Sequence, residues 1–194
     1  MAFHKTAGVV LIVGSVLFIV ATVLPVSFQV YGEPDQARQT AAIEGSGGQW
    51  AASQALFGLG ALVAAVGMGM AAQHLRKSSL AVLGYLGAAA LLVGAVIWGA
   101  LVTRWALDPQ TFLTVEPGNV QFLAYSLITQ AGLALFGVAL LRSNLPSWPG
   151  WVALAGAVLA FLGFLVFRDM PPFVYYILTL VLGFAIFAKG WLVD

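Results

Sequence analysis

Six stretches of about 20 residues or more run through this chain almost without charge: residues 7–30, 51–73, 79–103, 120–141, 148–167 and 172–191, in which Lys189 is the one ionised side chain. A helix rises about 1.5 Å per residue, so each run can cross the roughly 30 Å hydrocarbon layer of a bilayer. No water is present there to satisfy backbone amides and carbonyls, so the spanning form is the helix, whose hydrogen bonds are all internal. The expected fold is all-α: a polytopic integral membrane protein built as a compact bundle of six transmembrane helices. The gaps between the windows reach only about 20 residues, below the ~40 at which a domain folds unaided. Residues 1–194 are therefore expected to form a single transmembrane domain. Composition agrees, with 61% apolar and 8% charged residues against roughly 45–50% and 25% in soluble domains.

Lys5 ahead of the first run imitates the charged start of a secretory signal. The run is longer than the roughly 7–15 residues of a signal core, and no small-x-small site closes it, so it is read as a retained helix. Cysteine is absent, which excludes disulfides, thiolate ligands and cysteine nucleophiles. A net charge of +1 supplies no basis for binding nucleic acid.

The charges between the runs divide by side. One side carries Lys5, Arg76, Lys77, Arg142 and Lys189 against Asp194 alone; the other carries Arg38, Arg104 and Arg168 against Glu33, Asp35, Glu44, Asp108, Glu116 and Asp169. Basic residues gather in short cytoplasmic loops because positive charge resists translocation. The expected location is the cell membrane, multi-pass, with both termini cytoplasmic.

Local signals sit between the runs. Pro25 should kink the first helix near the outer face. In the first outer loop Pro34 marks a first helical position, Ala37 and Ala41 share a face and Gly45 marks a stop, which predicts a short surface helix. In the second, Asp108-Pro109 is a cap-and-start pair, Glu116-Pro117-Gly118 a turn, and Asn119 the cap of the fourth long helix. Both loops are expected to be structured. Arg168 and Asp169 fall in a connection so short that Pro171 and Pro172 should start the last helix; the pair reads first as a boundary, Arg168 reaching the headgroups and Asp169 facing a helix N-terminus. A weak echo links hairpins 49–104 and 121–168, each opening on Gln plus an aromatic residue and closing on Arg; as a duplication it would be a parallel repeat.

Small residues recur at four-residue spacing: Ala61, Ala65 and Gly69; Gly87, Ala95 and Gly99; Ala153 and Ala157. Lipid provides no hydrophobic drive for helix association, so close backbone approach must supply it.

Candidate chemistry gathers at the outer face. Glu33, Asp35, Asp108 and Asp169 are candidate acids; Arg104 and Arg168 offer forks of donors for an anionic group; Gln49, Trp50, Tyr175 and Tyr176 share that depth. The fourth long helix adds Gln121, Tyr125, Ser126, Thr129 and Gln130 as a polar stripe that must face the bundle, with Ser53 and Gln54 as its expected partners. His4 and His74 lie at the cytoplasmic edge without the carboxylates or imidazoles a metal needs, so no metal or other cofactor is expected. No span carries an ionisable residue at its centre, which leaves an ion-coupled pump without its usual carrier.

The expected function is that of a non-catalytic integral membrane protein, an accessory or assembly subunit or a binder of a lipid-like ligand at its outer face. Its expected partners are membrane lipid and, beyond that, other membrane subunits or a second copy. An alternative is a membrane-embedded enzyme acting on an isoprenoid-like substrate with an outer carboxylate as acid, since burial favours the neutral carboxyl and aromatic faces stabilise cations. A second alternative is a small transporter or channel.

Overall fold

The structure, a computed structural model, describes residues 3–75, 80–114, 119–143, 146–167 and 171–189. Among these the chain is entirely helical: α1 (Phe3–Val23), α2 (Pro25–Gly32), α3 (Gln36–Gly45), α4 (Gln49–His74), α5 (Ala81–Leu107), α6 (Gln110–Leu113), α7 (Val120–Leu141), α8 (Trp148–Phe167) and α9 (Phe173–Lys189).

Five of these helices, α1, α4, α5, α7 and α8, are long and apolar enough to cross a membrane. The chain thus has the make-up of a multi-pass helical membrane protein. The sixth window yields less than expected. Pro171 and Pro172 precede the helix rather than opening it, and α9 has 17 residues, about 25 Å of rise.

The six long helices close a ring in chain order. α1 packs on α4, α4 on α5, α5 on α7, α7 on α8, α8 on α9, and α9 returns to α1. Successive members run antiparallel. At the closing seam the start of α1 meets the end of α9 where Gly8 lies against Phe187, and the end of α1 meets the start of α9 where Phe18 stacks on Tyr176 at 3.6 Å.

Close backbone approach holds the seams, in part through residues other than those the spacing picked out. Ala61, Ala65, Ala95, Ala153 and Ala157 are buried as expected. A methyl group added at Gly69 or Gly99 would meet nothing within 4 Å, so the packing does not require glycine at either position. The tightest approach is instead Gly14 of α1, where a methyl would overlap the backbone nitrogen of Ala64; Gly87 of α5, which the spacing did pick out, is also clasped, a methyl there standing 2.7 Å from the Gly132 carbonyl oxygen. The outward faces carry Val13, Val16, Val20, Val93, Leu159 and Val166, all exposed, as lipid-facing positions require.

Pro25 does more than kink the first helix. Leu24 adopts φ −59°, ψ 140°, the extended geometry forced on a residue before proline. The 7–30 window is therefore two helices, with Pro25 opening α2 and needing no amide partner there. In the first outer loop the helix begins at Gln36 rather than at Pro34: Asp35 is the N-cap, its Oδ1 accepting from the Arg38 amide at 2.9 Å. The helix stops at Gly45 as expected, and the left-handed turn that follows falls on Gly47, φ 59°. Asn119 caps α7 as expected, accepting from the Gln121 and Phe122 amides at 2.9 and 3.3 Å.

Candidate functional site

The end of the bundle where α1 gives way to α2 carries a small cap made by α2, α3 and α6. Gln36 Nε2 of α3 donates to the Leu113 carbonyl of α6 at 3.0 Å, joining the two outer loops. Gln39 Nε2 donates to the Val30 and Glu33 carbonyls at 3.1 and 2.7 Å, folding α3 back on α2. Beneath the cap Trp50, Trp105, Tyr31 and Phe112 pack edge to face or tilted at 5.1–6.1 Å between ring centroids, and Trp50 Nε1 donates to the Trp105 carbonyl at 2.9 Å. Such pairs add stability beyond the area they bury because ring edges and faces carry opposite partial charge.

Between α3 and the corner of α5 and α6 lies a cleft of about 330 Å³, lined chiefly by Thr40, Ile43, Glu44, Trp50, Pro109 and Leu113. It lies in the cap, outside the helix ring, and does not lead to the bundle axis.

The outer carboxylates hold turns together. Asp35 caps α3. Asp108 is exposed, and its Oδ1 accepts from the Gln110 amide at 3.2 Å. Glu33 accepts from the Asp35 amide at 3.1 Å and stands 3.8 Å from the Arg38 guanidinium. Arg104, Gln49 and Gln121 are exposed. Asp169 and Arg168 lie outside the described residues, as do Glu116, Arg76 and Lys77. Among the described residues no three His, Asp or Glu side chains come together in a way that could hold a metal ion.

The polar stripe of α7 faces the ring interior below its first turn: Tyr125, Ser126, Thr129 and Gln130 are all buried, whereas Gln121 is not. Its partners differ from those expected. Gln54 Nε2 donates instead to Tyr31 and Ser53, at 3.5 and 3.2 Å, and Ser53 to the Trp50 carbonyl at 2.7 Å. The stripe turns to α9, where Gln130 Nε2 donates to the Tyr175 hydroxyl at 2.8 Å. Tyr125 stacks on Trp98 at 4.8 Å and meets Tyr175 edge to face at 6.0 Å. Tyr175 and Tyr176 are buried against these partners and do not form an interfacial belt.

Two features of the interior escape a reading of the sequence. Trp98, buried in mid-helix, is the hub against which Phe18, Phe57, Trp105, Phe122 and Tyr125 all pack. Ser15 and Thr179 form a buried hydroxyl pair at 2.8 Å across the seam of α1 and α9. A polar residue within each of two apolar windows is the available signal, and nothing in the linear order pairs them.

Chemically, the outer end offers a part-apolar cleft with one carboxylate at its rim, and the interior offers hydroxyls and amides closely hemmed by aromatic rings. Comparison with known proteins finds no matching family model, no matching curated protein and no matching solved structure.

Proposed function

We propose that this chain is a non-catalytic integral membrane protein that crosses the bilayer six times with both termini cytoplasmic and binds a lipid-like ligand at its outer face. The carrying observation is the contrast between two spaces: the cleft of the outer cap measures about 330 Å³, while the void on the bundle axis measures about 10 Å³. A path for solute or a chamber for an isoprenoid-like substrate needs far more interior space than that, since small-molecule sites run to roughly 300–1,000 Å³. The engagement of Asp35, Asp108 and Glu33 with backbone amides supports the non-catalytic reading, because a carboxylate that caps a turn serves as an acceptor. The division of basic and acidic residues between the two sides supports the orientation. α9 serves as the sixth span at the short end of the range a bilayer accepts, where local thinning compensates.

Native mass spectrometry from mild detergent tests the reading. A retained lipid-sized adduct that is lost on Ile43→Glu, a change inside the cleft, is the expected result. An adduct-free monomer overturns lipid binding, and a retained protein subunit in place of the adduct favours the accessory-subunit form. Solute flux through liposomes carrying the pure protein would overturn the proposal in favour of transport.

A further inference from the structure

We propose that a single water molecule is held on the bundle axis, in the void between α4, α5, α7 and α9, where it bridges the Thr129 hydroxyl of α7 to the tyrosine hydroxyls that open α9. The void is lined by alanines of α4 and by Leu91, Thr129, Tyr175, Tyr176 and Thr179. Its volume of about 10 Å³ is that of one water, which needs roughly 10–15 Å³ and two to four polar partners. An organic ligand is excluded by size, and a metal ion by the absence of any carboxylate or imidazole on the walls.

The second observation concerns what the hydroxyls do elsewhere. A Ser or Thr buried in a helix ordinarily bonds a carbonyl of its own preceding turn. Thr22 does so with Phe18, Ser53 with Trp50 and Thr179 with Tyr176, at 2.7–3.2 Å. Thr129 does not: the residue is 3% exposed and its hydroxyl has no protein partner. Ser27 Oγ of α2 and, on the same face of α7 as Thr129, Ser126 Oγ and Gln130 Oε1 are likewise unpaired. An unpaired buried hydroxyl is costly in an apolar surrounding, and a bridging water removes that cost where the walls are polar. Toward the cytoplasmic half the axis is sealed by Leu133, Phe136 and Leu140, each at most 1% exposed, so the water is confined at mid-depth.

Radiolytic hydroxyl labelling of the full chain in lipid nanodiscs reads this directly, because radicals born from a bound water oxidise the ring beside it. Tyr176 is expected to oxidise several-fold faster than Phe136, a buried ring on the sealed side. Thr129→Val, which keeps the shape and removes the hydroxyl, should bring Tyr176 down to the Phe136 rate, and Thr129→Ser should restore it. A wild-type Tyr176 rate no higher than that of Phe136 overturns the proposal without recourse to any variant. A rate unchanged by Thr129→Val, or lowered as much by Thr129→Ser, overturns the role given to the Thr129 hydroxyl.

Discussion

Gln130 in the middle of α7 donates its side-chain amide to the Tyr175 hydroxyl at the start of α9, 2.8 Å away, across 45 residues of sequence. α7 and α9 are not neighbours in the ring; α8 stands between them in chain order. This bond, with the Tyr125–Tyr175 ring contact, ties the interior faces of two helices that are not ring neighbours. Interhelical hydrogen bonds in bilayers contribute modestly, because the unfolded chain also finds partners. A double-mutant cycle of Gln130→Leu and Tyr175→Phe should give a coupling of roughly 0.6 kcal/mol, with ~1.7 kcal/mol as the ceiling, read from unfolding in mixed micelles.

The glycines separate into clasped and idle positions. Gly14→Ala forces α1 from α4 and should cost about 1–3 kcal/mol, the range for overpacking. Gly99→Ala meets open space and should stabilise by roughly 0.5–1 kcal/mol through reduced backbone freedom. Thermal unfolding in detergent compares them, and equal effects at both positions would contradict the packing at the seam of α1 and α4.

Trp50 and Trp98 allow one hydrogen bond to be isolated. Both are buried, but the Trp50 indole donates to the Trp105 carbonyl while the Trp98 indole has no partner. Trp→Phe at each removes a similar volume. The Trp50 variant should be the less stable of the two by about 1 kcal/mol, the net worth of a hydrogen bond, as measured by thermal unfolding in the same detergent.

Asp35 distinguishes capping from acid chemistry. Asp35→Asn retains the acceptor oxygen and should leave stability nearly unchanged, whereas Asp35→Ala should cost about 1 kcal/mol. A general acid would show the opposite pattern in any activity assay, failing with Asn as completely as with Ala.

Orientation is checked with introduced thiols, since the chain has no cysteine of its own. In intact cells a membrane-impermeant maleimide should label Gln121→Cys and Arg104→Cys, and should reach His74→Cys only after lysis. Arg104→Ala should leave stability in detergent within about 1 kcal/mol of the parent, as for exposed charges in general.

The all-helical architecture, the long spans and the cap at Asn119 were legible from sequence because each depends on near neighbours: apolar runs long enough for a bilayer, and a side-chain oxygen two or three residues from the amide it accepts. The break at Leu24 was half legible, since a proline signals a disturbance but its size depends on where the following helix finds packing. What only the tertiary structure decided is which face of each helix points inward. Apart from α7, whose polar stripe marked its inward face, the spans are apolar nearly all round, so polarity does not mark a buried side, and small residues lie at several registers at once. Gly14 and Gly60 were chosen over Gly69 by the way α1 and α4 dock. The approach of α9 to α7 paired Gln130 with Tyr175 rather than with Gln54, and the convergence of α1, α4 and α7 on α5 made Trp98 the hub of the aromatic core. Those choices belong to contacts between residues far apart in the chain, where shape complementarity and hydrogen-bond geometry decide and local sequence carries no trace of the partner.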